Sequence, residues 1–254
     1  MTTVAACQLP VADLDVETNL DRVRERVAAL DDEIAVAVFP EQTLTGFVGD
    51  DRIHEAAVRT DGPVVAALRD LAAGADVALL VGYVEDAGDA YYNAAAYVQP
   101  DGDVAVYRKR HLWADEVDVL TPGEDLVTVE TPAGEAGLMT CYDLNFVADS
   151  AALTRERVNA LFVVGAWPAA YSENWTLLVR SRALDGVRWV VGAGRTGRRE
   201  VADARTVEYA GRSLVARPDG SVGHQLDRSV DDLVVDLDRG VLAAQRDLVG
   251  VYDD

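Results

Sequence analysis

The sequence predicts a single α/β domain in which helices cover β-sheets that pack against each other face to face. Three observations support this fold class. Segments with helical periodicity alternate with short apolar runs typical of strands, and hairpins interrupt the alternation. The apolar runs leave little polar surface, so the strands need cover on both faces. No linker, internal repeat or change of composition divides the 254 residues.

The first third of the chain alternates strands with amphipathic helices. Residues 2–8 form an apolar strand candidate, and a β-rich run at residues 34–39 ends at Pro40, where a strand must stop. A buried strand is predicted at residues 77–84. Apolar side chains recur at helical spacing at residues 63–73 and at Val16, Leu20, Val23, Val27 and Leu30.

Three turns rich in proline and glycine predict hairpins in the remainder of the chain. The predicted strand pairs are 91–99 with 103–107, 126–130 with 136–140, and 211–217 with 221–225. Further helices are predicted at 151–157 and 173–186, and further strands at 160–164, 188–193 and 233–237. One domain is therefore expected over residues 1–254, with a core from about 3 to 238 and a polar tail after it.

Charge and composition exclude several classes of function. The net charge is −21, which repels phosphate and argues against nucleic acid or an anionic membrane as a partner. Two cysteines and three scattered histidines offer no disulfide framework and no zinc site, so no metal or cofactor is expected. No apolar stretch reaches the roughly 20 residues of a membrane span, and no secretory signal is recognisable. A cytoplasmic protein with reduced thiols is expected.

The acidic residues greatly outnumber the basic ones, and lysine is almost absent. The chain has 30 Asp, 14 Glu and 22 Arg, but a single lysine, Lys109. Such a surface suits a cytoplasm at molar salt, where the Debye length falls to about 3 Å, so a halophilic protein is expected. A codon bias toward G and C also depletes lysine, but it does not favour acids over bases so strongly. Since lysine is avoided elsewhere, position 109 is expected to need an ammonium group.

Two residues could supply a nucleophile and a base. Cys141 follows the predicted strand 136–140, where its sulfur could point into a pocket. A thiol with an ordinary pKa of about 8.5 needs a base or a positive neighbour to attack at neutral pH. Glu41 follows the strand 34–39 beside glycine and aromatic residues, a suitable place for a general base. The alternatives are a small core cysteine, the interpretation given to Cys7, and an exposed loop carboxylate.

Two further residues could stabilise negative charge. Lys109 follows a predicted strand, where a fixed ammonium could stabilise an oxyanion. It could instead belong to a solvated basic cluster with Arg108, Arg110 and His111. Glu116 lies seven residues further on and could orient the lysine or share its proton.

Taken together, these residues and their flanking motifs resemble the nitrilase superfamily of carbon–nitrogen hydrolases. The resemblance spans residues from about 5 to about 237, and four ordered motifs at these spacings are specific. The matching segments are Phe39-Pro-Glu41 with Thr45-Gly-Phe47, Tyr107-Arg-Lys109-Arg-His-Leu112, Glu116 before Pro122-Gly123, and Gly137 through Cys141-Tyr-Asp-Leu144. Further matches are Trp167-Pro168, Arg180-Ser-Arg-Ala183 and Gly211-Arg-Ser213.

The resemblance implies a four-layer αββα sandwich, usually assembled into a homodimer or a higher homo-oligomer. It also implies that Glu41 takes the thiol proton of Cys141, whose thiolate attacks an amide carbonyl and leaves a thioester for water to hydrolyse. Lys109 and the backbone N–H of Tyr142 would hold the oxyanion, and Glu116 would fix Lys109 and the substrate. The implied partner is a small-molecule amide, and Trp167 would contribute to its binding site.

Two departures from the family pattern bear on the substrate. Asn145 stands where relatives commonly carry an arginine, which could bind a carboxylate through two hydrogen bonds. Gly194-Arg-Thr-Gly197 lacks the asparagine that often precedes this arginine. Trp167-Pro168 and the Thr45-Gly-Phe47 segment favour an ω-amidase-like enzyme, which cleaves the terminal amide of dicarboxylic monoamides. An N-carbamoyl hydrolase and a nitrilase remain alternatives on the same site, and the nitrilase is the least expected.

Alternatives from other classes are weaker. Gly192-Ala-Gly194-Arg-Thr-Gly197 matches a dinucleotide-binding fingerprint and would indicate an oxidoreductase. That fingerprint needs a helix beginning at the glycines, and residues 198–209 show no apolar helical stripe. A catalytically silent binding protein is disfavoured because all four candidate residues are present. No G-x-S-x-G motif indicates a serine hydrolase.

Overall fold

The computed structural model describes residues 1–250 and contains two six-stranded sheets. The strands of the first sheet are β1 (Thr2–Gln8), β2 (Ile34–Val38), β3 (Ala78–Asp86), β4 (Tyr91–Val98), β5 (Val104–Arg108) and β14 (Asp231–Leu237). Their spatial order is β14-β1-β2-β3-β4-β5. β1, β2 and β3 are parallel, while β4, β5 and β14 pair antiparallel with their neighbours. The carboxyl ends of β2 and β5 therefore lie at the same edge of the sheet.

The second sheet repeats this plan, with a parallel centre and antiparallel edges. Its strands are β6 (Thr128–Thr131), β7 (Gly134–Thr140), β8 (Ala160–Gly165), β9 (Trp189–Gly194), β12 (Leu214–Ala216) and β13 (Val222–Gln225). The order is β13-β12-β9-β8-β7-β6, and β7, β8 and β9 are parallel. The three predicted hairpins are confirmed as β4–β5, β6–β7 and β12–β13. A separate two-stranded ribbon consists of β10 (Arg198–Arg199) and β11 (Val207–Glu208).

The predicted four-layer αββα sandwich is confirmed by which side chains share a core. In β1, Val4 and Ala6 pack between the two sheets, whereas Ala5 and Cys7 face the helices on the outside. This alternation follows from the period of two along a strand. The helices α1 (Val16–Ala28) and α3 (Pro63–Ala75) cover the first sheet, and α5 (Val147–Arg155) and α6 (Ser172–Gly186) cover the second. Cys7 is a core cysteine, as its position in an apolar run predicted.

The C-terminal segment corrects one prediction. Residues after about 238 were expected to form a polar tail, but Arg239–Val249 forms a helix, α7. The Asp238 side chain caps this helix by accepting a hydrogen bond from the Gly240 N–H at 2.7 Å, and Leu242 is buried in the core between the sheets. Val241 also packs against this core, so the helix is amphipathic and its sequence carried a periodic signal that the prediction of a polar tail overlooked.

Four short elements were not predicted, namely β10, β11, α2 (Arg52–Ala56) and α4 (Glu116–Val119). The dinucleotide-binding alternative fails at this point of the fold. After β9 the segment Arg195–Gly197 leads into β10, so no helix begins at the glycines. Within residues 1–250, no helix has both the length and the apolar character that crossing a membrane requires.

Candidate active site

The four candidate residues meet where the carboxyl ends of strands from both sheets face each other. Glu41 follows β2, Lys109 follows β5, Cys141 follows β7, and Glu116 is the first residue of α4. All four are buried, with exposed fractions of 2% for Glu41, 2% for Lys109, 4% for Glu116 and 7% for Cys141. The exposed-loop alternative for Glu41 and the solvated-cluster alternative for Lys109 are therefore wrong. Arg110 and His111, the neighbours of Lys109, pair with a buried Asp149.

Lys109 lies between the two glutamates. Its Nζ donates to Glu41 Oε1 at 2.8 Å and to Glu116 Oε2 at 2.7 Å. Burial lowers the pKa of the ammonium, but the charges of Glu116 and Glu41 outweigh burial and hold the pKa well above its usual value. Burial raises the pKa of the Glu116 carboxyl, although Lys109 acts in the opposite direction. Lys109 therefore keeps its charge in a site shielded from water.

Asn93 is a site residue that the sequence reasoning missed. It lies in β4, and its Nδ2 donates to Glu41 Oε1 at 2.8 Å and to Glu116 Oε1 at 2.6 Å. One amide nitrogen thus bridges the two carboxylates that also share Lys109. The only signal in the sequence is an amide beside the apolar run that continues the strand, which does not reveal which residues it contacts.

The backbone around Glu41 fixes the position of its carboxylate. The second oxygen, Oε2, accepts a hydrogen bond from the backbone N–H of Ala166, just after β8, at 2.7 Å. On the other side, the Glu41 turn lies directly on Gly82 of β3. A Cβ atom at Gly82 would come within 2.5 Å of both the Pro40 carbonyl oxygen and the Gln42 nitrogen. Glycine at position 82 thus permits the close approach that holds Glu41 in place.

Cys141 begins a 3₁₀ helix, Cys141–Asn145, and has a positive φ of 48°. Non-glycine residues rarely adopt this conformation, and such strain is typical of functional sites. Asp143 holds the turn in place, because its carboxylate accepts hydrogen bonds from Tyr107 Oη at 2.7 Å, the His111 N–H at 2.9 Å and the Thr140 N–H at 3.1 Å. These bonds connect the Cys141 turn to the segment that carries Lys109.

The surroundings of Cys141 favour a protonated thiol in the resting protein. Burial and the nearby Glu41 carboxylate raise the pKa of the thiol, whereas the Lys109 ammonium and the Ala166 N–H lower it, and the net shift is upward. A hydrogen bond links the Cys141 side chain to Glu41, which also raises this pKa. Glu41 is therefore placed to remove the thiol proton when a substrate arrives.

A cleft with two lobes opens at Cys141. The narrow lobe has a volume of about 50 Å³ and is lined by Glu41, Lys109, Glu116, Phe47, Arg199 and Tyr209, among others. The wide lobe has a volume of about 220 Å³ and is lined by Tyr142, Asn145, Trp167, Tyr171 and Asn174. Trp113, Cys141 and Pro168 line both lobes. Tyr142 and Trp167 thus line the same lobe as Cys141, and their roles in oxyanion and substrate binding stay predictions.

One group of side chains within residues 1–250 has the spacing of metal ligands, namely His111, Asp143 and Asp149. Their atoms already bond to protein partners. His111 Nε2 lies 2.9 Å from Asp149 Oδ2, and Arg110 pairs with the other oxygen of Asp149. Asp143 accepts the three hydrogen bonds described above. This group ties the Lys109 segment to α5 and does not fit a metal centre.

Known proteins match this chain over nearly its whole length. The family model described as Carbon-nitrogen hydrolase matches residues 3–247. An (R)-stereoselective amidase from Pseudomonas sp. is 30% identical over 239 residues, which cover 94% of this chain and 86% of the amidase. A solved structure with the same fold is a CN-hydrolase superfamily protein from Xanthomonas campestris, which has an arsenic adduct in its active site. The two structures superpose with a TM-score of 0.89 at 23% sequence identity, and the match covers 100% of this chain and 97% of the Xanthomonas chain.

A second solved structure has the same fold. It is a variant of the amidase from Nesterenkonia sp., in which acrylamide has added to the active-site cysteine. Its TM-score is 0.86 at 21% identity, and the match covers 98% of each chain.

Proposed function

The chain belongs to the carbon–nitrogen hydrolase family and acts on amides, and we propose that it cleaves the C–N bond of a small amide through a thioester on Cys141. The observation that carries this proposal is the convergence of Cys141, Glu41 and Lys109 in one buried cluster. A nucleophile, a base that contacts it and a fixed cation are the groups that acyl transfer requires.

In the first half of the reaction, Glu41 accepts the thiol proton, and the Cys141 sulfur adds to the carbonyl carbon of the amide. The oxygen that becomes negative accepts hydrogen bonds from Lys109 Nζ and from the backbone N–H of Tyr142. Glu41 then gives its proton to the leaving nitrogen and the C–N bond breaks, so that ammonia departs and a thioester remains.

In the second half, water replaces the amine. Glu41 removes a proton from the water molecule, whose oxygen adds to the thioester carbon, and the same donors stabilise the second oxyanion. The C–S bond then breaks, the carboxylic acid leaves, and Glu41 returns the proton to the Cys141 sulfur. Glu116 positions Lys109 throughout, since it accepts from Nζ and from the Trp113 N–H at 2.7 Å each.

The dimensions of the cleft favour a small substrate. Its lobes, at about 50 Å³ and about 220 Å³, are smaller than the roughly 300–1,000 Å³ of sites for drug-sized ligands. We propose a small aliphatic amide, with an ω-amidase-like reaction on a dicarboxylic monoamide as the leading candidate. N-carbamoyl compounds and nitriles are the alternatives, because Cys141 could attack the electrophilic carbon of either while Glu41 transfers the protons.

Ammonia release by the purified protein in molar KCl tests the proposal. The panel contains primary amides, dicarboxylic monoamides, carbamoyl compounds and nitriles. We expect turnover of at least one amide, and its loss in Cys141→Ala. Cys7→Ala is the matched control, because Cys7 is also buried but lies in the core of the first sheet. Equal activity of Cys141→Ala and the unaltered protein would refute the thioester mechanism.

We further propose the setting in which the enzyme works. The net charge of −21 supports a cytoplasm rich in salt as the place where the enzyme works. The partners that we propose are the small-molecule amide and a second copy of the chain. A homodimer or a higher homo-oligomer is supported by apolar side chains on the outer surface of the second sheet's helices. Leu177 and Leu184 of α6 are 61% and 57% exposed, and Val147 of α5 is 61% exposed.

A further inference from the structure

The narrow lobe contains a buried positive charge that the proposed reaction does not use. Arg199, on β10, is only 5% exposed, and it lines the lobe together with Glu41, Lys109 and Cys141. Its Nε donates to the Arg205 carbonyl oxygen at 3.1 Å, and its Nη1 donates to the Phe47 carbonyl oxygen at 2.9 Å. Both partners are neutral backbone groups. In residues 1–250, no carboxylate lies within ion-pair distance of Arg199.

The other buried arginines of the described chain are paired. Arg182 and Arg188 both pair with Asp185, and Arg195 pairs with Asp13 at 2.8 Å. A buried charge is costly unless an opposite charge compensates it. The chain has 44 acidic residues, so carboxylates to pair with an arginine are plentiful. Arg199, which lines the narrow lobe with Cys141, is therefore the one buried arginine of residues 1–250 without an acidic partner.

Arg199 is the buried positive charge of the narrow lobe that no carboxylate of residues 1–250 neutralises. The ammonium of Lys109 is shared between Glu41 and Glu116, which leaves no positive charge there for an anion at the far end of a substrate. The remaining charged residues that line the lobe are Arg199, Arg205 and Asp115. The three acids and three bases that line the lobe cancel in total, but Arg199 is buried and has no acidic partner among residues 1–250, so its charge is left for a carboxylate of the substrate.

We propose that Arg199 binds a carboxylate on the acyl part of the substrate, so that the preferred substrates are amides that also carry a negative charge. This inference rests on the proposed amide hydrolysis and names the substrate class of that same site. With the amide carbonyl at Cys141, the acyl chain extends into the narrow lobe, and Arg199 Nη2 donates to the carboxylate at its end. The small volume of the lobe, about 50 Å³, restricts the acyl chain to a few atoms.

The position of Arg199 also accounts for Asn145. An arginine at position 145, where relatives commonly carry one, would place its guanidinium at the wide lobe, which Asn145 lines. Arg199 reaches the cleft from the opposite side, through the ribbon β10–β11, and faces the narrow lobe instead. Anion recognition therefore does not require an arginine at position 145.

A pair of matched substrates tests the inference. Succinamate carries a carboxylate, and 4-oxopentanamide is a neutral methyl ketone with the same number of non-hydrogen atoms. We expect kcat/KM of the unaltered enzyme to be at least about 10-fold higher for succinamate, because hydrogen bonds to charged groups discriminate by about this factor or more. Arg199→Gln should lower kcat/KM for succinamate by about 10- to 100-fold, mainly through KM, and change that for 4-oxopentanamide by less than about 3-fold.

Further variants distinguish carboxylate recognition by Arg199 from a purely structural role of this residue. They also show whether a negative result concerns Arg199 or the proposed amide hydrolysis. Arg198→Gln removes the adjacent arginine, which is exposed and pairs with Glu200, and it should leave the substrate preference unchanged. Arg199→Lys should recover part of the preference. An unaltered enzyme that hydrolyses both substrates without preferring succinamate refutes the inference while amide hydrolysis stands. An equal loss on both substrates in Arg199→Gln also refutes it, because it shows a structural role. Turnover of no amide overturns both proposals.

Discussion

Lys109 is the only lysine of the chain, and its contacts explain why arginine does not take its place. An ammonium has three donors around one nitrogen, and here two of them bond to Glu41 and Glu116. The third donor remains for the oxygen of a substrate. A guanidinium spreads its donors over a larger planar fork, which would not fit between two carboxylates that approach one atom so closely. The single retained lysine therefore reflects the geometry of the site.

Asn93 should act as a positioning residue for both carboxylates. Asn93→Ala removes the donor that bridges Glu41 and Glu116, and we expect kcat to fall by about 10- to 100-fold, since a hydrogen bond to a charged group contributes about 1.5–3 kcal/mol. The acidic limb of the pH profile of kcat/KM should move to higher pH, because the ionised carboxylates lose a donor.

Asn93→Asp gives a sharper comparison at the same position. It places a third carboxylate beside Glu41 and Glu116, so we expect a larger loss of activity than in Asn93→Ala. Steady-state kinetics across pH for both variants would check this. An unchanged pH profile in Asn93→Ala, with only a lower melting temperature, would mean that Asn93 merely fills space.

At the scale of elements, the site depends on turns that lie close to neighbouring strands. The Glu41 turn has no helix or strand of its own, and Gln42 has a positive φ of 55°. It is held by packing on β3 and by the bond from the Ala166 N–H to Glu41 across the two sheets. The position of Glu41, the proposed general base, is therefore fixed by the packing of the two sheets and not by the local sequence alone.

Gly82→Ala should disturb this arrangement. The added methyl group would lie 2.5 Å from backbone atoms of Pro40 and Gln42, and backbone cannot move aside as a flexible side chain can. We expect a loss of about 1–3 kcal/mol in the free energy of unfolding and at least a 10-fold loss in kcat, because Glu41 is displaced. Chemical denaturation and steady-state kinetics measure both effects.

Gly74→Ala is the matched control for this substitution. Gly74 lies in α3, and a Cβ atom there would meet nothing within 4 Å. Alanine favours a helix over glycine by up to about 1 kcal/mol, so this variant should be as stable as the unaltered protein or more stable, with full activity. Equal tolerance of alanine at positions 74 and 82 would show that β3 does not constrain the Glu41 turn.

For the whole molecule, the dominant feature is the net charge of −21. Repulsion among so many carboxylates opposes a compact fold, and dissolved salt weakens it. The Debye length falls from about 10 Å at 0.1 M to about 3 Å at 1 M salt. We have proposed that the protein works at high salt, and its stability is the quantity that tests this.

We expect the melting temperature to rise by at least about 10 °C between 0.1 M and 2 M KCl. The gain should be largest below 1 M, where screening changes most. An uncharged osmolyte at equal osmolarity is the control, because it favours compact states without screening charge. A melting temperature that is constant or falls with KCl would contradict the proposed adaptation to salt. Light scattering over the same range would test whether the homo-oligomer forms.

The sequence by itself determined the residue types and the order of the elements. Glu41, Lys109 and Cys141 were identifiable because each follows a strand in a recognisable local motif, and Glu116 because it precedes Pro122-Gly123 in another such motif. The alternating apolar pattern was sufficient for the layered fold, because periodicity is a local property that burial imposes on each strand and helix. α7 is amphipathic as well, and it was missed because its charged residues were taken as the mark of a polar tail.

Only the tertiary structure decided which residues share the cleft. Asn93 lies 52 positions from Glu41, and the Ala166 N–H that binds Glu41 lies 125 positions away on the other sheet. Arg199 looked like one of 22 arginines until the ribbon placed it, buried and without an acidic partner, beside Cys141. The physical reason is that such contacts depend on strand register and on how two sheets pack, which no local pattern encodes.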